Sequence, residues 1–270
     1  MNSVVKWFGG KNSMFKNIIS EFPQCGSYDT YIEPFGGSYG VGFHTPDELI
    51  VPIEIYNDLY NNVYCLFKVL SDKNLFIRFR ELCNCSYYDE YMRQLFKEEL
   101  KNNDLDELTR AFYFFYVNRT SHNGIGGFSM NRVVRRGMPK SVSDYMSTVD
   151  RLSEIHERLS KVMVLCRDGI GLMEDYNSPN VFIYCDPPYV LSTRSSAERY
   201  VVDMTDKEHE RFIDVCLNSK AKLLISGYDN ELYNRLTDNG FKKLQFEVNT
   251  ISGDRKPKTK IETLWKNYKI

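Results

Sequence analysis

The chain has 270 residues, 35 of them basic and 36 acidic, for a net charge of −1. That length can bury one substantial core plus a smaller appended one, and the balanced charge excludes a global polycation, so affinity for nucleic acid must rest on local patches. No run approaches the roughly 18 apolar residues of a membrane helix, no cationic-apolar leader is read at the start, and seven scattered cysteines fit a reducing compartment better than a disulfide framework.

At the amino end, Lys6-Trp7-Phe8-Gly9-Gly10-Lys11 precedes an apolar-periodic stretch, Met14, Phe15, Ile18 and Ile19, that predicts a helix. Lys11 beside that helix start is electrostatically out of place, because helix amino termini favour anions. A cation there makes sense if it meets a ligand carboxylate. Trp7, next to two glycines, is a candidate cover for a flat ring, although a tryptophan is more often plain core. Tyr31-Ile32-Glu33-Pro34-Phe35-Gly36-Gly37-Ser38-Tyr39-Gly40 reads as a first strand running into a glycine-rich turn and then a helix. The turn lacks both the Lys-Ser or Lys-Thr of a Walker motif and a G-x-G-x-x-G, so a nucleoside-like ligand without phosphates suits it better than a dinucleotide. Residues 49–56 predict a second strand that closes on Asn57-Asp58. An acid about 20 positions beyond the glycine turn is where α/β nucleotide folds hold ribose hydroxyls. Asp58 is the better candidate there and Glu54 the rival.

The next hundred or so residues are predicted to be mostly helical, with apolar residues at helical spacing over 57–70, 73–83, 87–100 and 105–117. The aromatic run from Phe112 to Tyr116 reads as core. From 118 to 143 the character changes, with Arg119, Arg132, Arg135, Arg136 and Lys140 and no acid among them. Gly124, Gly126, Gly127 and Gly137 make this a flexible or hairpin loop. Such a patch suits a segment that tracks phosphates or enters a groove, and arginine reads guanine edges bidentately. Asn118, His122 and Asn123 are candidates for further polar base contacts. Helical spacing resumes over 143–160, with Ser143 or Asp144 as cap. Cys83 and Cys85 form a lone C-x-C without a matching ligand pair, so no metal site is expected.

An α/β rhythm then returns: a strand over 162–166, a short helix, a strand over Val181–Cys185, a helix over 206–218, a strand over 222–226, a helix over 230–239, and strands near 241–251 and 261–268. Alternation implies a mainly parallel, doubly wound sheet, and the last two strands, with no helix between them, an antiparallel edge. Asp168, just past a strand end, is either a contact to a cofactor's adenine ring or a turn residue. The serine-rich run 191–199, with Arg194 and Arg199, and the loop 255–260, with Arg255, Lys256, Lys258 and Lys260, are further candidates near a polyanion.

Asp186 follows the run Val181–Cys185 directly and heads Asp186-Pro187-Pro188-Tyr189. Open α/β sheets place ligands at such strand ends. The two prolines fix φ and remove two backbone donors, leaving carbonyls able to face a cleft. An ionised Asp186 with the Pro187 carbonyl offers two acceptors to one group bearing two N–H donors, such as the exocyclic amine of a base. Tyr189 adds a flat ring, and bases swung out of a duplex are held by stacking plus such hydrogen bonds.

Together these strings resemble the Dam-like family of DNA adenine N6-methyltransferases, in the order cofactor loop, recognition insert, Asp-Pro-Pro-Tyr loop. The resemblance extends over most of the chain and includes Asn57-Asp58, Lys222-Leu223-Leu224-Ile225-Ser226 and the ending Glu262-Thr263-Leu264-Trp265-Lys266-Asn267-Tyr268. Ser38 departs from it, since many relatives have a further glycine there. The interval from Gly37 to Asp186 is far longer than three βα units of about 30 residues need, so an insert is required. The resemblance implies a Rossmann-like methyltransferase sheet with a helical target-recognition insert. Residues 1–58 would then open the catalytic domain, 59–160 would form the insert, and 161–270 would complete the catalytic domain. It implies S-adenosyl-L-methionine as cofactor, lined by Trp7, Lys11, Glu33, Phe35, Gly37, Asp58, Asp168 and Asp186. It implies Asp186, Pro187 and Tyr189 as the catalytic set. Double-stranded DNA is the implied partner, met by Arg119, Asn123, Arg132, Arg135, Arg136 and Lys140, together with a possible cognate restriction enzyme and a place in the cytoplasm of a bacterium or virus-infected host. Asp before the prolines favours adenine. Cytosine-N4, RNA or protein-amide methylation on the same fold, and a catalytically silent DNA-binding relative, stay open.

Overall fold

The computed structural model describes residues 3–7, 9–11, 14–124, 126–190, 202–251 and 257–269, with the backbone alone at 249–251 and 257–260. In chain order the elements begin with α1 (Phe15–Ile19), β1 (Thr30–Glu33), β2 (Ile53–Asn57), α2 (Asn61–Ser71), α3 (Lys73–Cys85), α4 (Glu90–Glu99) and α5 (Glu107–Thr120). They continue with β3 (Val134–Arg135), β4 (Met138–Pro139), α6 (Lys140–Asp150), α7 (Leu152–Leu159), β5 (Met163–Leu165) and α8 (Gly169–Asp175). The last are β6 (Val181–Cys185), α9 (Asp206–Leu217), β7 (Lys222–Gly227), α10 (Asn234–Asp238), β8 (Lys242–Ile251) and β9 (Pro257–Lys266). These make two compact units, one of Met1–Gly10 with Tyr60–Val164 and one of Lys11–Leu59 with Leu165–Ile270. The described residues before Lys11 therefore fold with the insert, not with the sheet.

The sheet has the strand order β5-β2-β1-β6-β7-β9-β8. Strand β1 pairs in parallel with β2 and β6, and β6 with β7, whereas β9 is antiparallel to both β7 and β8. This is the mainly parallel sheet with an antiparallel edge that the rhythm of elements predicts. Its central strand β6 is buried at every position, because both faces are covered. Ile183 and Cys185 pack with Ile170, Leu172 and Phe212 on one face, while Phe182 and Tyr184 pack with Phe22, Tyr31 and Leu264 on the other. Parallel pairing brings the carboxyl ends of β1, β2, β6 and β7 to one edge of the sheet, and with them Glu33, Asn57, Asp186 and Ser226.

In the other unit, α5 packs against α2, α3, α4 and α6. Its row of aromatics is core, as predicted, at Phe112, Phe114, Phe115 and Tyr116, which are buried, while Tyr113 is half-buried. Aspartates 72, 89 and 106 cap α3, α4 and α5 by accepting backbone N–H bonds.

Several boundaries differ from those the sequence predicts, for local reasons. The second strand starts at Ile53 rather than at 49, since Asp47–Leu49 form a 3-10 turn after Pro46 and Pro52 lacks an N–H for the ladder. The glycine turn leads to a 3-10 turn at Gly42–His44 instead of an α-helix, following Tyr39 at φ 53. The helix expected from 57 starts at Asn61 because Asn57 still belongs to β2. The helix expected over 143–160 is two helices broken at Arg151 and begins at Lys140 behind Pro139, so Ser143 and Asp144 are interior residues, not caps.

Candidate functional site

Strand β6 ends at Cys185 and hands the chain to Asp186, whose Oδ1 meets two donors. Ser226 Oγ, from the neighbouring strand β7, donates at 2.9 Å, and Lys11 Nζ lies at 2.9 Å. The hydroxyls of Tyr184 and Ser226 share a hydrogen bond at 3.0 Å. Among the described residues, Oδ2 of Asp186 has no hydrogen bond or ion pair. One oxygen is thus anchored while the other is presented.

Lys11 is only 7% exposed. Besides Asp186, its ammonium lies 3.2 Å from Glu262 Oε1 of β9 and donates to the Tyr189 hydroxyl, which in turn donates to Glu262. The Tyr189 ring is buried and sits edge-on to Tyr228, 4.6 Å between centroids at 67°. Burial pushes the Glu262 carboxyl above the usual carboxylate range; Lys11 opposes this and the Asp186 charge reinforces it. The sequence places Glu262 and Ser226 within strands and by itself assigns them no role. The available signal was a lone acid in an otherwise apolar and neutral strand segment, Glu262-Thr263-Leu264-Trp265. Lys11, expected to partner a ligand carboxylate, is met here by two protein carboxylates.

The glycine turn forms the adjoining rim. Gly37, at φ 48, donates its N–H to Asp58 Oδ2 at 2.7 Å, and its carbonyl accepts from the Tyr56 hydroxyl at 2.9 Å. At Gly36 a Cβ would lie 2.3 Å from the Tyr56 ring, so the backbone can approach that ring only without a side chain. Glu33, at the end of β1, is 3% exposed. Its Oε1 accepts from the Tyr31 hydroxyl at 2.8 Å and the Gly42 N–H at 2.7 Å. Burial raises its carboxyl to about 8, the two hydrogen bonds only partly opposing. Phe35 packs on Phe212, 5.9 Å between centroids. Asp168 caps α8 through the N–H groups of Ile170 and Gly171 and bonds Arg211 at 2.7 Å. Glu54, the rival to Asp58, is enclosed within β2 rather than at its end.

Trp7 belongs to the helical unit, where its ring tilts against Tyr60 at 6.4 Å. In the same unit β3 and β4 form the hairpin that the glycine content suggested, with register Val134↔Pro139 and Arg135↔Met138. Its two-residue turn, Arg136 at φ 54 and Gly137 at φ 73, has the doubly left-handed geometry that fits strand twist. Arg132, Arg135 and Arg136 are exposed and Lys140 half-buried. The acid-free segment nonetheless has an acid at its border: Asp144 bonds Arg135 at 2.9 Å and Lys140 at 2.6 Å. Asn123 is exposed in the left-handed region.

Two residues of the basic segment are tied into the packing of the helical unit. Arg119 lies in the last turn of α5, its Nε buried without a partner. Burial, followed by Arg151, lowers it to about 10, and its carbonyl accepts from Lys6 Nζ at 2.9 Å. Asn118 is buried and clamps the Lys6 backbone, accepting its N–H and donating to its carbonyl, both at 2.8 Å. Arg194, Arg199, Arg255 and Lys256 lie outside the described residues, as do the side chains of Lys258 and Lys260.

Residues 7–251 match the family model described as D12 class N6 adenine-specific DNA methyltransferase. Among curated proteins the chain is similar to the Type II methyltransferase M.MjaIII of Methanocaldococcus jannaschii, at 27% identity with 98% of each chain covered. It is 24% identical to the DNA adenine methylase of Escherichia coli, over 98% of this chain and 94% of that one. It is also 24% identical to the Type II methyltransferase M.CviBI of Paramecium bursaria Chlorella virus NC1A, over 70% of this chain and 69% of the relative.

Proposed function

Because the chain belongs to the D12 class of N6 adenine-specific DNA methyltransferases, we propose that it moves a methyl group from S-adenosyl-L-methionine to the N6 amine of an adenine swung out of double-stranded DNA. The observation that carries this reading is Asp186 itself, one oxygen held by Ser226 and Lys11 and the other without a partner among the described residues.

The rim suits that cofactor. The Asp58 carboxylate and the Glu33 carboxyl, which burial raises to about 8, border a turn whose Gly36 is bare backbone against the Tyr56 ring. Acceptors for hydroxyl and amine groups, with no Walker lysine, match a nucleoside lacking phosphates. Bound there, the sulfonium supplies an electrophilic methyl group.

The protein's task is to make a poor nucleophile attack. The lone pair of adenine N6 is delocalised into the ring. Donation of its two N–H groups to Asp186 Oδ2 and the Pro187 carbonyl pulls the nitrogen toward tetrahedral geometry. The Asp186 charge then stabilises the positive charge that develops on N6, in a preorganised environment. Alignment with the methyl group adds the proximity effect. Asp186 need not be a strong base, because the product ammonium loses its proton to solvent. On the DNA side we assign phosphate and base-edge contacts to Arg132, Arg135, Arg136, Lys140 and Asn123. Asn118, buried and bonded to the Lys6 backbone, and Arg119, half-buried with its Nε enclosed, are given no base contact in this reading.

The test is incubation with methyl-labelled S-adenosyl-L-methionine and unmethylated DNA, RNA and protein in parallel, followed by digestion. Label in N6-methyladenine of DNA is expected and should vanish in Asp186→Ala with the circular dichroism spectrum unchanged. Label in RNA or glutamine, or a fully active Asp186→Ala, overturns the reading.

A further inference from the structure

We propose that Glu262 is a positioning residue for methyl transfer: by sharing the Lys11 ammonium with Asp186, it leaves a surplus negative charge beside the presented oxygen of Asp186. This rests on Asp186 as the acceptor of the adenine amine.

An ammonium is a multiple donor, and among the described residues Asp186 Oδ1, Glu262 Oε1 and the Tyr189 hydroxyl stand around Lys11 as acceptors. Among the described residues the cluster holds one cation and two carboxylates, Lys11 and Glu262 being almost wholly buried and the Asp186 side chain 22% exposed. With Asp186 alone, Lys11 would form a neutral buried pair, and a carboxylate whose charge is cancelled is a weak partner for a second cation. Glu262 changes that balance, because its carboxylate takes part of the ammonium's field and draws it away from Asp186. Tyr189 fixes the geometry by accepting from Lys11 and donating to Glu262. The arrangement therefore presents net negative charge where the amine arrives, which in a low-dielectric site favours the transition state more than the neutral ground state. A buried lysine is tolerated here because both carboxylates compensate it.

Among the described residues Glu262 meets the site through Lys11 and Tyr189, so its effect belongs in kcat. The titrating or charged groups that face it are Lys11, Asp186, Tyr189 and Tyr184, with Glu33 acting on Asp186 from β1. Protonation of Glu262 removes the surplus charge and mimics Glu262→Gln.

The experiment compares wild type, Glu262→Gln, Glu262→Asp and Asp186→Ala as purified full-length chains, with steady-state methylation of unmethylated duplex DNA from pH 5 to 9. Glu262→Gln should lower kcat by about tenfold or more, with KM for S-adenosyl-L-methionine within about threefold and thermal stability retained. Glu262→Asp should recover part of the loss. The ratio of wild-type to Glu262→Gln kcat should fall toward one as pH drops, a trend in which Glu33 cancels. A Glu262→Gln enzyme with wild-type kcat, or a kcat ratio independent of pH, overturns the proposal while an inactive Asp186→Ala still upholds the reading of Asp186. If Glu262→Gln does not fold, Glu262→Asp decides: an unchanged kcat refutes the positioning role, and a lowered kcat with unchanged KM supports it.

Discussion

Asn57 grips Arg167 at both its backbone polar groups, accepting the Arg167 N–H at 2.9 Å and donating to the Arg167 carbonyl at 3.0 Å. The same amide donates to the Pro34 carbonyl at 2.8 Å. One fully buried side chain thus ties the end of β2 to the glycine turn and to the loop before α8, the segments that adjoin Asp58 and Asp168. Asn57→Ala removes the partner of one buried and two part-buried backbone groups, so a loss of about 1–3 kcal/mol is expected. A urea titration measures it. Asn57→Asp should fare no better, since a carboxylate cannot donate to the two carbonyls.

Asp58 holds the glycine turn through the Gly37 N–H and is assigned to the cofactor. Asp58→Ala is expected to weaken S-adenosyl-L-methionine binding by about tenfold or more, the worth of a hydrogen bond to a charged group. At saturating cofactor kcat should change little, because the interaction is made equally in ground and transition states. Calorimetric titration with initial-rate kinetics separates the two, and an unaltered affinity refutes the assignment.

Glu33 makes stability depend on pH in a direction opposite to the common carboxylate. Its folded-state value, about 8, lies above the ordinary 4.5, so the folded state binds its proton more tightly than the unfolded state. Its contribution is fully present below pH 4.5 and is lost as pH rises through about 8. Glu33→Gln keeps an acceptor for Tyr31 and Gly42 without a titrating proton. Between pH 5 and 9 the variant should gain on wild type by a few kcal/mol, read as a difference in urea midpoint at each pH.

Asp144 restrains Arg135 and Lys140 of the basic segment. Asp144→Ala should tighten binding to duplex DNA and steepen the dependence of log K on log salt by about one phosphate contact. Arg135→Ala should flatten that slope by about one. Fluorescence anisotropy at several salt concentrations measures both; slopes equal to wild type would remove the hairpin from the DNA interface.

The elements most legible in the sequence are those whose signal is local. Strand β6 matches its predicted span because a β-branched and aromatic run between a turn and two prolines has few alternatives. The glycine turn, the helical insert and the aromatic core of α5 are readable for similar reasons, as is the place of Asp186 at a strand end. Boundaries are misplaced where periodicity continues across a break, as at Arg151 between α6 and α7, or where a turn imitates a strand, as at Asp47–Leu49.

What the sequence alone determined is the order of elements and the chemistry at strand ends, because spacing, proline and glycine act over a few residues. What only the tertiary structure decided is who stands beside whom. Glu262 reaches Lys11, and Ser226 reaches Asp186, across strands widely separated in the chain; strand periodicity names a face but not its neighbours. Whether a cation is exposed or enclosed is likewise a property of packing. Arg119 and Arg135 look alike in a basic stretch, yet one is half-buried in the last turn of α5 with its Nε enclosed and the other lies exposed on a hairpin.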